Sequence, residues 1–587
     1  MLLLPPVKKS SFNNDVCNMA AMTSLNYAGV SPLMLKELKT KFPACKATKK
    51  KSGCFLQFSA GNAKALPAVD VGDGIEAYQI RITENVLRID AKSEAGLFYG
   101  IQTFLQMPAL IPCGEISDEA SIPLRMIHWD LKGYQPKFDL LLEEMRILAS
   151  YKVNSILLEI EDKYDYKAAP GVGCPGAYTY DEMRKLSKYA KDLHIQIVPK
   201  LQCLAHSDYI LKHPKYKSLR ENGHVYQFCV SNPKAQTLWN NMATELMECF
   251  AEHKGYFHIG ADEAINLGEC PKCAKLGKTG SFLKKVGASV DFVLDKGWQP
   301  IMWDDILRNL HGAMSDDEAK QCWVLGKKAI LMYWAYGYGG VGNEFPLLKS
   351  FLDSNIKIFG ASGYAGCDNW AGSVPPLEIR GKNVDAWTKT AIENKLESVC
   401  ATGWTRIGSA DCPAEPQESS WFTILYAANS MWSGKPYDYR KFVCGLSMQL
   451  FGEMPEQNLL DAILNIKKSP YGIGNLAGKV DTNQRLKFLR LAAAAECLDQ
   501  ERDFICNLNK YYYGKLGRKL EDYRIDYMNK WPGVRAQAIA DFKKKMVEAI
   551  NAYYVKFTAD DFINSRFGYL EKLYADTAEL TAKTEKM

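Results

Sequence analysis

Two acids stand side by side, Asp262 and Glu263, in the stretch YFHIGADEAINLGEC that runs from Tyr256 to Cys270. Carboxylates this close cannot both ionise freely, so one of them is expected to keep a proton near neutral pH and to suit a general acid. Cleaving a glycosidic bond needs such an acid at the leaving oxygen, and also something that stabilises the oxocarbenium-like centre. Neighbours in sequence serve poorly as acid and nucleophile on opposite faces of a sugar ring. They fit a substrate that brings its own nucleophile, a 2-acetamido oxygen, with one acid orienting the amide and the other moving the proton. The same stretch runs on into CPKC, Cys270 to Cys273, the C-x2-C spacing of structural zinc knuckles. A tetrahedral site needs two more ligands. Cys229, Cys174, Cys203 and His224 are the candidates, with Cys229 taken beside Cys270 and Cys273 as the structural zinc set and unligated buried thiols as the competing reading.

The elements that must carry these residues follow from the apolar pattern. From Leu124 the chain alternates short apolar runs with amphipathic stretches: LRMIHWDL, NSILLEIE, IQIVPKL, GYFHIG, PIMWDD, AILMYW, IKIFGA and SVCATGW. Eight strands, each with a helical or looping return, are what a parallel (β/α)8 TIM barrel requires. Polar or aromatic residues end nearly every run, among them Asp130, Glu161, Asp162, Asp262, Glu263, Trp303, Asp304, Trp334 and Trp404. In a barrel those ends converge on one mouth. Upstream, Val86, Leu87 and Ile89 predict a strand, and Ser93 with Glu94 opens a helix that carries Leu97, Phe98, Ile101, Phe104 and Leu105 on one face. Downstream the pattern is helical. The expected organisation is α/β: a small N-terminal α+β domain over residues 1–122, the barrel over 123–433 and a C-terminal α-helical domain over 434–587.

FHIGADEAINLG resembles the His-x-Gly-x-Asp-Glu signature of glycoside hydrolase family 20, the β-N-acetylhexosaminidases, with Ala261 where a second Gly is commoner. RMIHWDLKG, LLEIEDKYDY, HSDYILKH, IMWDDIL and ATGWTR extend the resemblance over the barrel, towards the hexosaminidase D branch and its bacterial relatives, and AKSEAGLFYGIQTFLQM resembles the end of the family's N-terminal domain. The resemblance implies an exo-acting, retaining enzyme that releases terminal GlcNAc or GalNAc through an oxazolinium intermediate. Glu263 would be the acid/base and Asp262 would hold the acetamido nitrogen. His206 and Glu161 match a buried pair that supports the acid/base residue, and Arg125 matches an arginine that grips the sugar's O3 and O4 hydroxyls. Trp303, Trp334 and Trp404 resemble the indole walls around the acetamido methyl group. Tyr364 matches a tyrosine donor to the acetamido oxygen, with Asp368 standing in for an acid that Gly366 replaces and Trp370 as a stacking surface. At strand eight many members carry Trp-x-Glu where this chain has Trp404, Thr405 and Arg406, and Arg406 cannot accept a hydroxyl proton.

Composition bounds the alternatives. With 587 residues the chain exceeds the roughly 250–300 at which one core stops growing, and 47% hydrophobic with 24% charged residues excludes a largely disordered or fibrous chain. A net charge of +6 is mild, and the basic runs lack interleaved aromatics, so nucleic acid is not indicated. No apolar run reaches the roughly 20 residues of a membrane span. The 17 cysteines are scattered, which favours reduced thiols and a cytoplasmic address over secretion with a leader absent from this chain. The expected partner is a glycan or glycoconjugate bearing terminal β-linked N-acetylhexosamine; the reaction requires no cofactor, and a homodimer contact is one role open to the C-terminal helices. The rival readings are a glycosidase with two separated carboxylates and a catalytically silent carbohydrate-binding protein.

Overall fold

A computed structural model describes residues 2–337, 344–367, 374–406, 415–464, 483–495 and 522–585. Seven strands open the chain: β1 (Lys9–Asn18), β2 (Met22–Ala28), β3 (Lys46–Lys49), β4 (Phe55–Ala60), β5 (Tyr78–Thr83), β6 (Val86–Ala91) and β7 (Leu110–Asp118). They form one sheet in the order β1-β7-β5-β6-β4-β2-β3, antiparallel except for the β2–β3 pair. Ser93 caps the helix Glu94–Leu105 by accepting from Gly96 N–H, and this helix packs on β5 and β6. Its buried face carries Leu97, Phe98, Ile101 and Phe104, as the periodicity predicts.

The barrel follows. Its strands are β8 (Leu124–Asp130), β9 (Ser155–Glu159), β10 (Gln196–Lys200), β13 (Tyr256–His258), β14 (Gln299–Trp303), β15 (Ile330–Trp334), β16 (Ile358–Ala365) and β17 (Ser398–Gly403). They pair in parallel in chain order and close where β17 meets β8. All eight predicted runs are barrel strands. Between β10 and β13 a small hairpin, β11 (Arg220–Glu221) and β12 (His224–Phe228), rises beside the mouth. Alternation sorts each strand: Leu124, Met126, Leu157, Val198, Ile301, Ile330, Met332, Phe359 and Cys400 pack together inside the barrel, whereas Ile127, Trp129, Ile156 and Ile197 join the core outside it.

After β17 the helix Trp421–Ser433 is buried along its whole length. It ends at Gly434, whose φ of 76° makes it a left-handed cap. The helices Tyr439–Leu450, Gln457–Ile463, Gln484–Ala495, Asp522–Tyr553, Lys556–Ile563 and Tyr569–Glu585 make up the remainder of the described chain. Among the described residues no helix is long and apolar enough to cross a membrane, and the described cysteines are free thiols.

Candidate active site

The chain leaves β13 by an unusual path. Gly260, Ala261 and Glu263 all have left-handed backbones, with φ of 70°, 75° and 47°. A side chain at Gly260 would collide with the Gln202 carboxamide. This turn ends the two-residue alternation of the strand, so that adjacent Asp262 and Glu263 both line the barrel mouth. They are not equivalent. The Asp262 side chain is 9% exposed and that of Glu263 36%, which sets the first at the cleft floor and the second at its rim.

One imidazole serves both carboxylates. His206 Nε2 lies 3.1 Å from Glu263 Oε2 and 3.4 Å from Asp262 Oδ2, and Tyr226 Oη is 2.9 Å from the same nitrogen. Gln202 Nε2 donates to Asp262 Oδ1 at 3.0 Å, and Glu263 N–H donates to Asp305 Oδ2 at 2.8 Å. His311 Nε2 sits 3.4 Å from Asp305 Oδ2 and 3.6 Å from Glu263 Oε1. Burial works against a charged His206, but Asp262 and then Glu263 outweigh it and carry the imidazole up to about 9. The hydrogen bond from His206 then holds Glu263 below the usual carboxylate range. Burial pushes Asp262 up, with Asp305 and Glu263 adding to it against His206 and Lys200. The raised member of the acid pair is therefore Asp262, and the proton held at the site sits on His206 against both carboxylates.

The cleft holds about 880 Å³ of empty space including its open mouth, and Trp303, Trp334, Trp404 and Tyr336 form its walls. Trp303 and Trp404 stand 5.6 Å apart at 52°, and Trp404 Nε1 donates to Tyr336 Oη at 3.0 Å. Trp334 stacks on Tyr336 at 5.2 Å. Asp304 fixes Trp334 by accepting from its backbone N–H at 3.2 Å, and Arg308 holds Asp304 in turn. Inward residues of β8 to β10 build a charged floor: Glu159 forms an ion pair with Lys200 Nζ at 2.6 Å and meets His128 Nε2 at 2.9 Å. Lys132 Nζ bridges Asp130 at 2.8 Å and Glu159 at 3.5 Å. Lys132 and Lys200 also lie over the Trp404 ring, at 4.8 and 5.2 Å.

Residues 142–343 match the model of the glycosyl hydrolase family 20 catalytic domain, and residues 33–119 match the family's domain 2. Over those residues the chain is similar to glycosyl hydrolase family 20. Hexosaminidase D of Homo sapiens is 26% identical over 311 residues, covering 50% of this chain and 62% of that protein. Hexosaminidase D of Bos taurus is also 26% identical, covering 48% of this chain and 84% of that protein. The chain thus spans less than two thirds of the human relative. A β-N-acetylhexosaminidase from Bacteroides fragilis shares the fold with a TM-score of 0.57 at 19% identity, over 77% of this chain and 95% of that one.

Two positions carried over from the family 20 pattern lie away from the places assigned to them. Arg125 is at the opposite end of the barrel. It occupies the amino end of β8 on an outward register, where Nη1 pairs with Glu76 at 2.7 Å and the guanidinium donates to the carbonyls of Lys152 and Ile122. Tyr364 also points outward by alternation on β16 and donates to the His128 carbonyl at 2.9 Å; the tyrosine at the cleft wall is Tyr336. His206 turns its Nε2 to the acid pair. Glu161 is buried and raised well above the usual range, by burial first, with Lys132 opposing and Glu159 adding to it. Asp368 and Trp370 lie outside the described residues. Gln202, Tyr226, Asp305, His311 and Tyr336 were not anticipated. Asp305 is the last residue of the recognised strand end WDD, whereas Tyr226 arrives on β12 and His311 on the segment after β14, where the local sequence carries no cue. Of the cysteines, Cys229, Cys270 and Cys273 converge, and they do so with Glu221. Cys174 instead meets Gln135, Cys203 faces Ser289, and His224 pairs with Glu269.

Proposed function

We propose that this chain is an exo-acting, retaining β-N-acetylhexosaminidase that releases terminal GlcNAc or GalNAc from a glycan by substrate-assisted catalysis. The observation that carries the reading is the unequal placement of Asp262 and Glu263 in a tryptophan-walled cleft, both within reach of His206 Nε2. The 2-acetamido group enters between Trp303, Trp334 and Trp404, where flat indoles exclude water from its methyl group. Asp262 at the floor accepts the hydrogen bond of the amide N–H, which raises the nucleophilicity of the amide oxygen. That oxygen attacks C1 as the C1–O bond breaks, and Glu263 at the rim delivers a proton to the departing oxygen. His206 supplies that proton from 3.1 Å once the substrate displaces solvent from Glu263. Glu263, now a base, takes a proton from water; the oxygen of that water opens the oxazolinium ion at C1 and regenerates the acetamido group with retained configuration.

Apart from one water, every group in this cycle is a side chain or the substrate itself, so the proposed reaction calls for no cofactor. A metal held by the sulfur cluster at Cys270 would have a structural task. Glu263→Gln is expected to lower kcat on p-nitrophenyl N-acetyl-β-glucosaminide by a factor of 10³ or more, as loss of the essential acid implies, on the order of 4 kcal/mol in the barrier. Turnover in that variant near the wild-type rate would overturn the assignment.

A further inference from the structure

Beside the catalytic loop, four side chains from two segments converge. Glu221 ends β11, Cys229 follows β12, and Cys270 and Cys273 come from the cap and the first turn of the helix Pro271–Ala274. One ligand atom from each lies within 4.8 Å of the other three. Cys229 Sγ is 3.8 Å from Cys270 Sγ and 3.6 Å from Cys273 Sγ. Zn–S bonds of about 2.3 Å at tetrahedral angles place two sulfurs about 3.8 Å apart. A disulfide would need about 2.05 Å, so the sulfurs are spaced for a shared ion.

Polar groups approach two of the sulfurs. Cys273 N–H donates to Cys270 Sγ at 3.4 Å, and Ser231 Oγ lies 3.2 Å from Cys273 Sγ. Glu221 is 1% exposed. Its Oε1 accepts from Cys270 N–H at 2.7 Å, while its buried Oε2 faces only the thiols of Cys229 and Cys273. A buried carboxylate oxygen left to weak thiol donors is costly, and a cation at the centre of the cluster, which takes the place of those protons, satisfies it.

We propose that Glu221, Cys229, Cys270 and Cys273 bind one zinc ion as a structural centre. Three soft thiolates select zinc over magnesium or calcium, and four protein ligands leave no open position for chemistry. The ion fastens together the two segments that hold the catalytic groups. The β11–β12 hairpin carries Tyr226 against His206, and Gln227 clamps the catalytic loop through Asn266, donating to its carbonyl at 2.8 Å and accepting from its N–H at 3.2 Å. Cys270 lies four residues beyond Asn266 in that same loop. Zinc is thus a staple that positions Glu263 and takes no part in the reaction.

The test is metal analysis of the full chain, purified under reducing conditions without added zinc, read without substrate so that it stands apart from the glycosidase reading. About one zinc per chain is expected, released stoichiometrically to a zinc-sensitive dye when a mercurial titrates the thiols. Glu221→Gln, which keeps the acceptor for Cys270 N–H, is expected to surrender its zinc to a competing chelator at least tenfold more readily than the unaltered chain. Folded protein with zinc near zero and free thiols at Cys229, Cys270 and Cys273, or with a disulfide among them, would overturn the proposal, as would zinc retained unchanged in Glu221→Gln and in Cys229→Ser.

Discussion

At the scale of single residues, the site turns on where one proton resides. A sequence with two adjacent acids implies that one of them is raised, but not which, because that depends on what each touches. Asp262 is raised by burial, and Glu263 is lowered because His206 donates to it. His206, raised to about 9 in the folded chain, titrates near 6.5 when unfolded. A folded-state value above the unfolded one means stabilisation that is complete below about pH 6.5 and is lost as pH rises through about 9. Equilibrium unfolding between pH 6 and 10 should therefore show stability falling by on the order of 3 kcal/mol across that window, and His206→Gln should flatten the fall. An equal slope in the variant would move the titration elsewhere. Glu263 carries the opposite sign: its contribution is present above its unfolded pKa and fades as pH drops through its lowered folded value.

At the scale of elements, the strands were legible and the directions of their side chains were less so. Parallel strands buried on both faces read as apolar runs, which is why all eight barrel strands, and the residues that end them, were visible from LRMIHWDL to SVCATGW. A run does not say on which side of the pleat, or at which end of the barrel, a given residue falls. Arg125 was misplaced for that reason, as was Tyr364, one residue off the inward register of Ala361. Asp305, His311 and Tyr226 were missed because they reach Glu263 from the segment after β14 and from the β11–β12 hairpin, and convergence of that kind is a property of the closed barrel. The corrected place of Arg125 has a consequence. Its guanidinium, fully buried against Glu76 and two carbonyls, joins the N-terminal domain to the barrel floor. Arg125→Met should cost about 3 kcal/mol in unfolding free energy, because it leaves the Lys152 and Ile122 carbonyls without this donor and Glu76 with Asn154 alone, while KM for the chromogenic substrate stays within twofold. A large rise in KM without loss of stability would return Arg125 to the sugar.

At the scale of the whole molecule, the C-terminal helices are fastened to the barrel beside its mouth. Val555 N–H donates to the Gln135 carbonyl at 2.8 Å and Lys137 N–H to that of Tyr553 at 2.9 Å, and Tyr134 packs on Tyr554 and Phe562. Arg406, the residue that departs from the family pattern, lines the cleft and reaches Asp561 at 3.4 Å. A second tie is deeper. Arg485, on the helix Gln484–Ala495, pairs with fully buried Glu418 at 2.5 Å beside Glu144. Arg485→Met leaves buried Glu418 without its cation, beside a Glu144 that keeps only Gln417 as donor, and should cost about 3–5 kcal/mol. The penalty should grow as pH rises from 5 to 8, because burial pushes both groups up and deprotonation then becomes the unfavourable step. A denaturation midpoint unchanged across that range would show that the helix does not depend on this pair.

The central claim is that the substrate's own acetamido oxygen is the nucleophile at C1. The most direct measurement is kcat/KM for a series of p-nitrophenyl β-glucosaminides whose N-acyl group is acetyl, fluoroacetyl, difluoroacetyl and trifluoroacetyl. Each fluorine withdraws electron density from the amide oxygen, so the account predicts a steep fall along the series, by several orders of magnitude from acetyl to trifluoroacetyl. Rates that stay level across the four substrates would mean that a protein carboxylate attacks C1, and would contradict it.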